Sequence, residues 1–162
     1  VLACGPAAQA LTRRLTTLRD LALAADAVGG ANALLDLTVE HLQVRRQFGR
    51  PLALFQALKH RCADLKTLIA AAEALLLDSL GRLGDSIGGA EAELKGKTVK
   101  HLACATYARV AEEALQLHGG IGMASEHQCH LFLKRALLNE RLGRQDDRYE
   151  LDIADGLLAG LA

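Results

Sequence analysis

The chain has 162 residues, 51% of them apolar, with 19 Lys+Arg balanced by 19 Asp+Glu. That length can bury one sizeable core, and the apolar content excludes a disordered chain. A formal net charge of zero argues against a general nucleic-acid binder, which would carry a basic excess.

The apolar half is lopsided: 33 Leu and 29 Ala stand against 6 Val and 4 Ile. Leu and Ala favour helices, whereas β-branched residues favour strands. An all-α fold is therefore expected. The first predicted helix runs from about Leu11 to Val44, with Leu15, Leu18, Ala22, Ala25, Gly29, Asn32, Leu35 and Val39 as its stripe. Gly29-Gly30 lies inside it, and close helix approach is the plain reason for such a pair. Gly49, Arg50 and Pro51 break the chain. A second helix follows from about Leu54 to Leu83, its stripe made of Leu54, Leu58, Cys62, Leu65, Leu68, Ala72, Leu75 and Leu76. Gly84 to Gly89 reads as a loop. The third helix spans about Ala90 to Leu117, facing inward with Leu94, Thr98, His101, Ala105, Ala108, Val110, Ala114 and Leu117. Gly96 is a weak point within it.

His118-Gly119-Gly120-Ile121-Gly122 ends that helix. One Gly suffices for a left-handed stop; three in four residues imply backbone that lies close to something else. Ser125 is placed to cap a fourth helix, about Glu126 to Arg141, and a short last one covers about Asp147 to Leu161. Short connections make neighbours antiparallel. The expected architecture is an up-down-up-down four-helix bundle with a short extra C-terminal helix, one domain over residues 1–162.

No apolar run reaches the length that spans a bilayer; Leu21 to Leu35 is interrupted by Asp26, Gly29, Gly30 and Asn32. No membrane span and no signal peptide are expected. Cys4, Cys62, Cys104 and Cys129 lie far apart, which reads as reduced thiols in a cytoplasmic protein. Met123 is the sole Met, so a processed chain or a piece of a longer one is expected.

Six His raise the question of a metal. No Glu-x-x-His pair of the di-metal bundle type occurs, and His127-x-Cys129-His130 has no matching second cluster, so no metal site is assigned. No phosphate loop and no nucleophile–base pattern stands out. Arg45, Arg46 and Arg50 fit either a basic patch or cations at a helix C-terminus.

Two stretches together carry a resemblance. Val44-Arg45-Arg46-Gln47-Phe48-Gly49-Arg50-Pro51-Leu52 with Phe55-Gln56, and then Gln116-Leu117-His118-Gly119-Gly120-Ile121-Gly122 with Lys134-Arg135, resemble the paired signatures of the acyl-CoA dehydrogenase C-terminal domain. The resemblance implies a flavoprotein with N-terminal helical, middle β and C-terminal helical domains, of which this chain is the last. It implies oxidation of the Cα–Cβ bond of an acyl-CoA, in fatty acid or lipid metabolism, with FAD as the cofactor and an electron-transfer partner. Arg45, Gln47, Phe48, Phe55, Gln56, Gln116, Gly119 and Gly120 would then contact FAD held mainly by a neighbouring subunit. A guanidinium suits that role, being a permanent cation with forked donors for a diphosphate.

The sequence departs from the family at the catalytic base. The two positions where the resemblance places a carboxylate hold Arg19 and Arg144, and Arg stays protonated. No catalytic residue is assigned on this chain. Two readings follow: a base-lacking subunit of a heteromeric dehydrogenase, which is favoured, or an unusual base at Asp20, Asp146 or Asp147. Glu140 would need a four-residue shift and is expected to face solvent. From another functional class comes a helical oligomerisation domain that has lost flavin. Self-association is expected from the surplus of Leu and Ala. The 162-residue piece alone is expected to bind FAD weakly or not at all and to lack activity.

Overall fold

A computed structural model describes residues 4–83, 87–143 and 148–160. The order is α1 (Gly5–Val44), β1 (Arg46–Gln47), β2 (Arg50–Pro51), a 3-10 turn (Leu52–Leu54), α2 (Gln56–Leu83), α3 (Ala90–His118), a 3-10 turn (Gly119–Met123), α4 (Cys129–Arg141) and α5 (Arg148–Ala159). The chain is all-α, as its composition requires. α3 is the centre of the bundle and packs against α1, α2, α4 and α5. A continuous core of Leu21, Leu34, Leu35, Leu65, Ile69, Val99, Tyr107, Val110 and Leu117 joins the helices.

α1 is 40 residues long, on the order of 60 Å at the usual helical rise. Its buried face is Thr17, Asp20, Leu21, Ala24, Ala27, Val28, Ala31, Leu34, Leu35, Thr38 and Leu42. This corrects the expected stripe, of which only Leu35 is on that face; Leu15 and Leu18 are exposed. The reason is compositional. α1 is apolar on nearly all sides, so periodicity points nowhere, and small residues on α1 and α3 decide which faces meet. Gly96, on α3, is such a residue: a Cβ there would sit 3.3 Å from Thr17 Cγ2. Gly30 is another, for a Cβ would come within 2.6 Å of the Tyr107 ring, whereas Gly29 has nothing within 4 Å.

By length and composition α1 also contains a stretch apolar enough to cross a membrane, which the run-length reading passed over. Its buried side chains are taken up by the core, and core helices pass the same test. α2 keeps the expected Leu65, Ala72 and Leu76 inside but leaves Leu68 exposed, and Leu54, placed in that helix by the sequence, lies exposed in the 3-10 turn before it. α4 begins at Cys129, and its cap position is Gln128 with no side-chain hydrogen bond, so Ser125 does not cap it. All four Cys are free.

α5 seats on the outer face of α3. Gly156 lets it approach, since a Cβ there would lie 2.7 Å from Leu94 Cδ1, and Lys97 Nζ meets Asp152 at 3.0 Å. Beneath this contact lies a polar junction. Asp20 is buried and accepts from Arg19 (2.9 and 2.7 Å) and from the Tyr149 hydroxyl (3.0 Å). Lys100 is buried too; its ammonium lies 4.8 Å from the Tyr149 ring centre and donates to the Glu140 carbonyl. Glu140 is half-buried here and not turned wholly to solvent.

Candidate functional site

The first motif folds as a hairpin clipped to the end of α1. Arg45 is the C-cap residue, extended at ψ 124°, and its carbonyl accepts from Leu52 N–H at 2.9 Å. Arg46 pairs with Pro51 and Gln47 with Arg50. Phe48 (φ 53°) and Gly49 (φ 79°) form the two-residue turn, and positive φ at both central positions matches the twist of a tight hairpin. Gly adopts that backbone freely; a bulky Phe does so at a cost and is stabilised by little here, being 89% exposed. Its ring meets Phe55 edge-on at 6.1 Å, and the Arg50 guanidinium caps Phe55 at 4.1 Å. An aromatic ring held outward in a costly conformation is a feature of contact surfaces.

The second motif ends α3. Gly119 stops the helix at φ 63°, the left-handed role foreseen for a Gly. Gly122 is required by packing, since a Cβ would meet His118 Cβ at 3.0 Å and the Leu115 carbonyl at 3.1 Å. Gly120 is required by neither: its φ is not positive and a Cβ would enter open space. That open space is a cleft of about 390 Å³, lined by His41, Val44, Arg45, His118, Gly120 and Ile121.

The structure therefore brings Arg45 of the first motif and Gly120 of the second to one cleft. Among the described residues, none hydrogen-bonds or ion-pairs with the Arg45 guanidinium. Phe48 at the hairpin turn and Phe55 just after the 3-10 turn stand together but do not line the cleft. Gln47 turns its amide back to the Arg46 carbonyl at 2.9 Å. Gln56, Gln116 and Gly119 are exposed and do not line the cleft.

His41 and His118 line this cleft, and neither was assigned as a site residue from the sequence. The available signal was the four-residue step from His41 to Arg45, which puts both on one helix face. Their rings stack at 4.5 Å, and His127 leans on His118 at 4.7 Å. Burial, followed by the neighbouring imidazoles and Arg45, holds His41 below the ordinary 6.5. Burial does the same to His118. His118 Nδ1 lies 2.8 Å from the Ala114 carbonyl, so it carries the proton, and Nε2 is buried without a partner.

His118, His127 and Cys129 offer donor atoms within 4.8 Å of one another, the spacing of a candidate metal cluster. The hydrogen bonds disfavour that use. Cys129 N–H donates to His127 Nδ1 at 3.1 Å, leaving the His127 proton on Nε2, and burial raises the Cys129 thiol. A metal would have to displace both arrangements.

Of the two positions expected for a base, Arg19 lies among the described residues. A Cβ on Gly143 would lie 2.6 Å from the Arg19 guanidinium carbon, so α1 and Gly143 meet at one point. The cation Arg19 sits there. Asp20 is committed to Arg19 and Tyr149, which removes it as a free base. Arg144, Asp146 and Asp147 lie outside the described residues. Lys134 is exposed, while Arg135 grips Asp26 through two hydrogen bonds of 2.9 and 3.1 Å and thereby ties α4 to α1.

The helical bundle as a whole has counterparts among known proteins. The profile described as acyl-CoA dehydrogenase, C-terminal domain, matches residues 9–158, and the chain belongs to this oxidoreductase family. It is 44% identical over 114 residues to acyl-CoA dehydrogenase IpdE2 of Mycobacterium tuberculosis, covering 70% of this chain and 33% of that protein. Butyryl-CoA dehydrogenase of Megasphaera elsdenii superposes with TM-score 0.79 at 28% identity, over 86% of this chain and 36% of that one. The ChsE4-ChsE5 complex of Mycobacterium tuberculosis superposes with TM-score 0.70 at 26% identity, over 91% and 37%. The chain thus spans about a third of the length of the relatives it matches.

Proposed function

We propose that this chain is the C-terminal, FAD-contacting and oligomerising domain of a longer flavoprotein that oxidises the Cα–Cβ bond of an acyl-CoA. The observation that carries the reading is the shared cleft: a free guanidinium at Arg45 faces a Gly120 that nothing within the chain requires to be Gly. Those are the two needs of a dinucleotide diphosphate, a forked cation and an unobstructed backbone. Arg45 holds the diphosphate, Gly120 lets the chain approach it, and Phe48 and Phe55 offer ring faces to the adenosine side. Gln47, Gln56, Gln116 and Gly119 complete the contact surface after turning toward the cofactor. FAD supplies the hydride acceptor.

Proton abstraction belongs to another chain in this proposal, because the two positions for the base hold Arg19 and Arg144. Asp20 is consumed by its buried bonds. The enzyme is accordingly a heteromer in which a homologous subunit carries the carboxylate, and one structural relative, ChsE4-ChsE5, is itself a two-component complex. Exposed Leu11, Leu15, Leu18, Leu77, Leu80, Leu151, Leu157 and Leu158 supply apolar surface for the subunit contacts. A cytoplasmic location and an electron-transfer partner complete the proposal.

The test is purification of the full-length protein alone and with its homologous partner. Bound FAD in the assembled enzyme, with acyl-CoA-dependent bleaching only when the partner is present, is the expected result. A colourless assembly would favour a helical oligomerisation domain instead. Turnover by this chain alone would place a base on it.

A further inference from the structure

Arg45 is not the sole basic group at the cleft. His41 stands one helical turn before it in the last turn of α1, and both line the same space. Three imidazoles run inward from there: His41 on His118, and His118 against His127. The inner two have assigned roles. His118 donates from Nδ1 to the Ala114 carbonyl, and His127 accepts from Cys129 N–H. Among the described residues none takes a ring nitrogen of His41. His41 is also only half-buried, so an incoming ligand can reach it.

We infer that His41 is a second phosphate ligand of the cleft, gaining a proton when a dinucleotide diphosphate binds beside Arg45. This rests on the reading of the cleft given above and adds a residue and a proton to it. In the free protein the side chains facing His41 oppose a charge. Arg45 on its own helix is a permanent cation, His118 from α3 and His127 from the segment before α4 add positive charge if protonated, and the ring is partly buried. Cys129 of α4 lies behind His118 as a neutral thiol. A bound diphosphate reverses the sign, because nearby opposite charge favours the protonated ring. The C-terminal end of α1 also favours cations. His118 is less suited, for its charge would lie between two rings, out of water.

A proton taken up on binding makes affinity rise as pH falls. Each unit by which the ligand raises the His41 pKa is worth about tenfold in affinity. The diphosphate diester of FAD does not titrate between pH 5.5 and 8, so the slope reports the protein. The experiment is titration of the assembled enzyme, stripped of flavin, with FAD, read by flavin fluorescence across that range at fixed ionic strength. Wild type is expected to bind roughly tenfold tighter at pH 5.5 than at pH 8. His41→Phe keeps a ring on His118 and should hold the pH 8 affinity throughout; His41→Gln should behave alike if Phe disturbs the fold. His41→Lys should bind tightly with little pH dependence. A wild-type slope in both His41→Phe and His41→Gln overturns the proposal, as does a slope lost in His118→Phe but kept in His41→Phe. Unchanged FAD binding in Arg45→Ala would sink the cleft itself as the flavin site. Loss in Arg45→Ala with an unaltered slope in the His41 variants sinks His41 alone.

Discussion

The same two helices, α1 and α3, end in two very different polar environments. Near the first half of α1, Arg19, Asp20, Lys100 and Tyr149 satisfy one another and seal α5 onto the bundle. At the far end of α1, His41 and Arg45 face a cleft and find no carboxylate among the described residues. Paired buried charges hold elements together, whereas basic groups left unpaired at a cleft await a ligand. The closed junction includes Arg19, one of the positions where the family resemblance puts the catalytic base. In the proposed function this end therefore holds the bundle together and the open end meets the cofactor.

The sharpest way to break this contrast is at Arg45. Arg45→Ala in the full-length enzyme should weaken FAD by at least roughly thirtyfold, since stranding one partner of a buried charge pair costs about 2–5 kcal/mol. Arg46→Ala should keep flavin, because its guanidinium only reaches the Gly49 carbonyl at 3.4 Å on the exposed hairpin. Equal retention of FAD in both, measured by absorbance after dialysis, would make the two ends alike.

The closed junction should answer in stability alone. Tyr149→Phe removes a hydrogen bond to a buried carboxylate and should cost about 1.5–3 kcal/mol in urea unfolding. FAD affinity should stay as it was. A flavin defect in that variant would show that the junction communicates with the cleft.

Between the two ends, the α1–α3 spacing can be probed at adjacent glycines. Gly30→Ala forces the buried Tyr107 ring to move and should cost about 1–3 kcal/mol. Gly29→Ala meets open space in a helix and should stabilise by up to about 1 kcal/mol. Thermal unfolding of the pair separates them; equal shifts would contradict the packing described here.

The smallest effect is that of pH on the apo bundle. The His41 and His118 pKa values are lowered in the folded chain, so the unfolded chain binds more protons near and below the ordinary 6.5. Stability should be whole above that value and decline as pH falls through it. The His41→Phe, His118→Phe double variant should flatten the decline, as seen by denaturant midpoints from pH 8 to 5.5. Acid would then weaken the empty cleft while strengthening its hold on a diphosphate.

Much of this was legible in the residues. Leu and Ala content fixed an all-helical chain, because helix propensity and the scarcity of β-branched residues act locally. Arg45-Arg46-Gln47-Phe48-Gly49 and Gln116-Leu117-His118-Gly119-Gly120 announced two special junctions, since helix stops and left-handed turns are written in Gly. The family followed from those motifs in order. What lay beyond reach was everything that depends on which faces meet. The inward side of α1 was misplaced because an Ala-rich helix has no preferred apolar face, and Gly30 against Tyr107 and Gly96 against Thr17 settle it across helices. Ser125 has cap chemistry, but the chain stays in turns until Cys129. Asp20 read as a possible base until Tyr149, 129 residues away, was found on its carboxylate. His41 carried no motif at all; only the stacking of α1 on the end of α3 sets it beside Arg45 in one cleft. Local propensity and motif chemistry are properties of the sequence, but burial and electrostatic neighbourhood exist only once distant segments have packed.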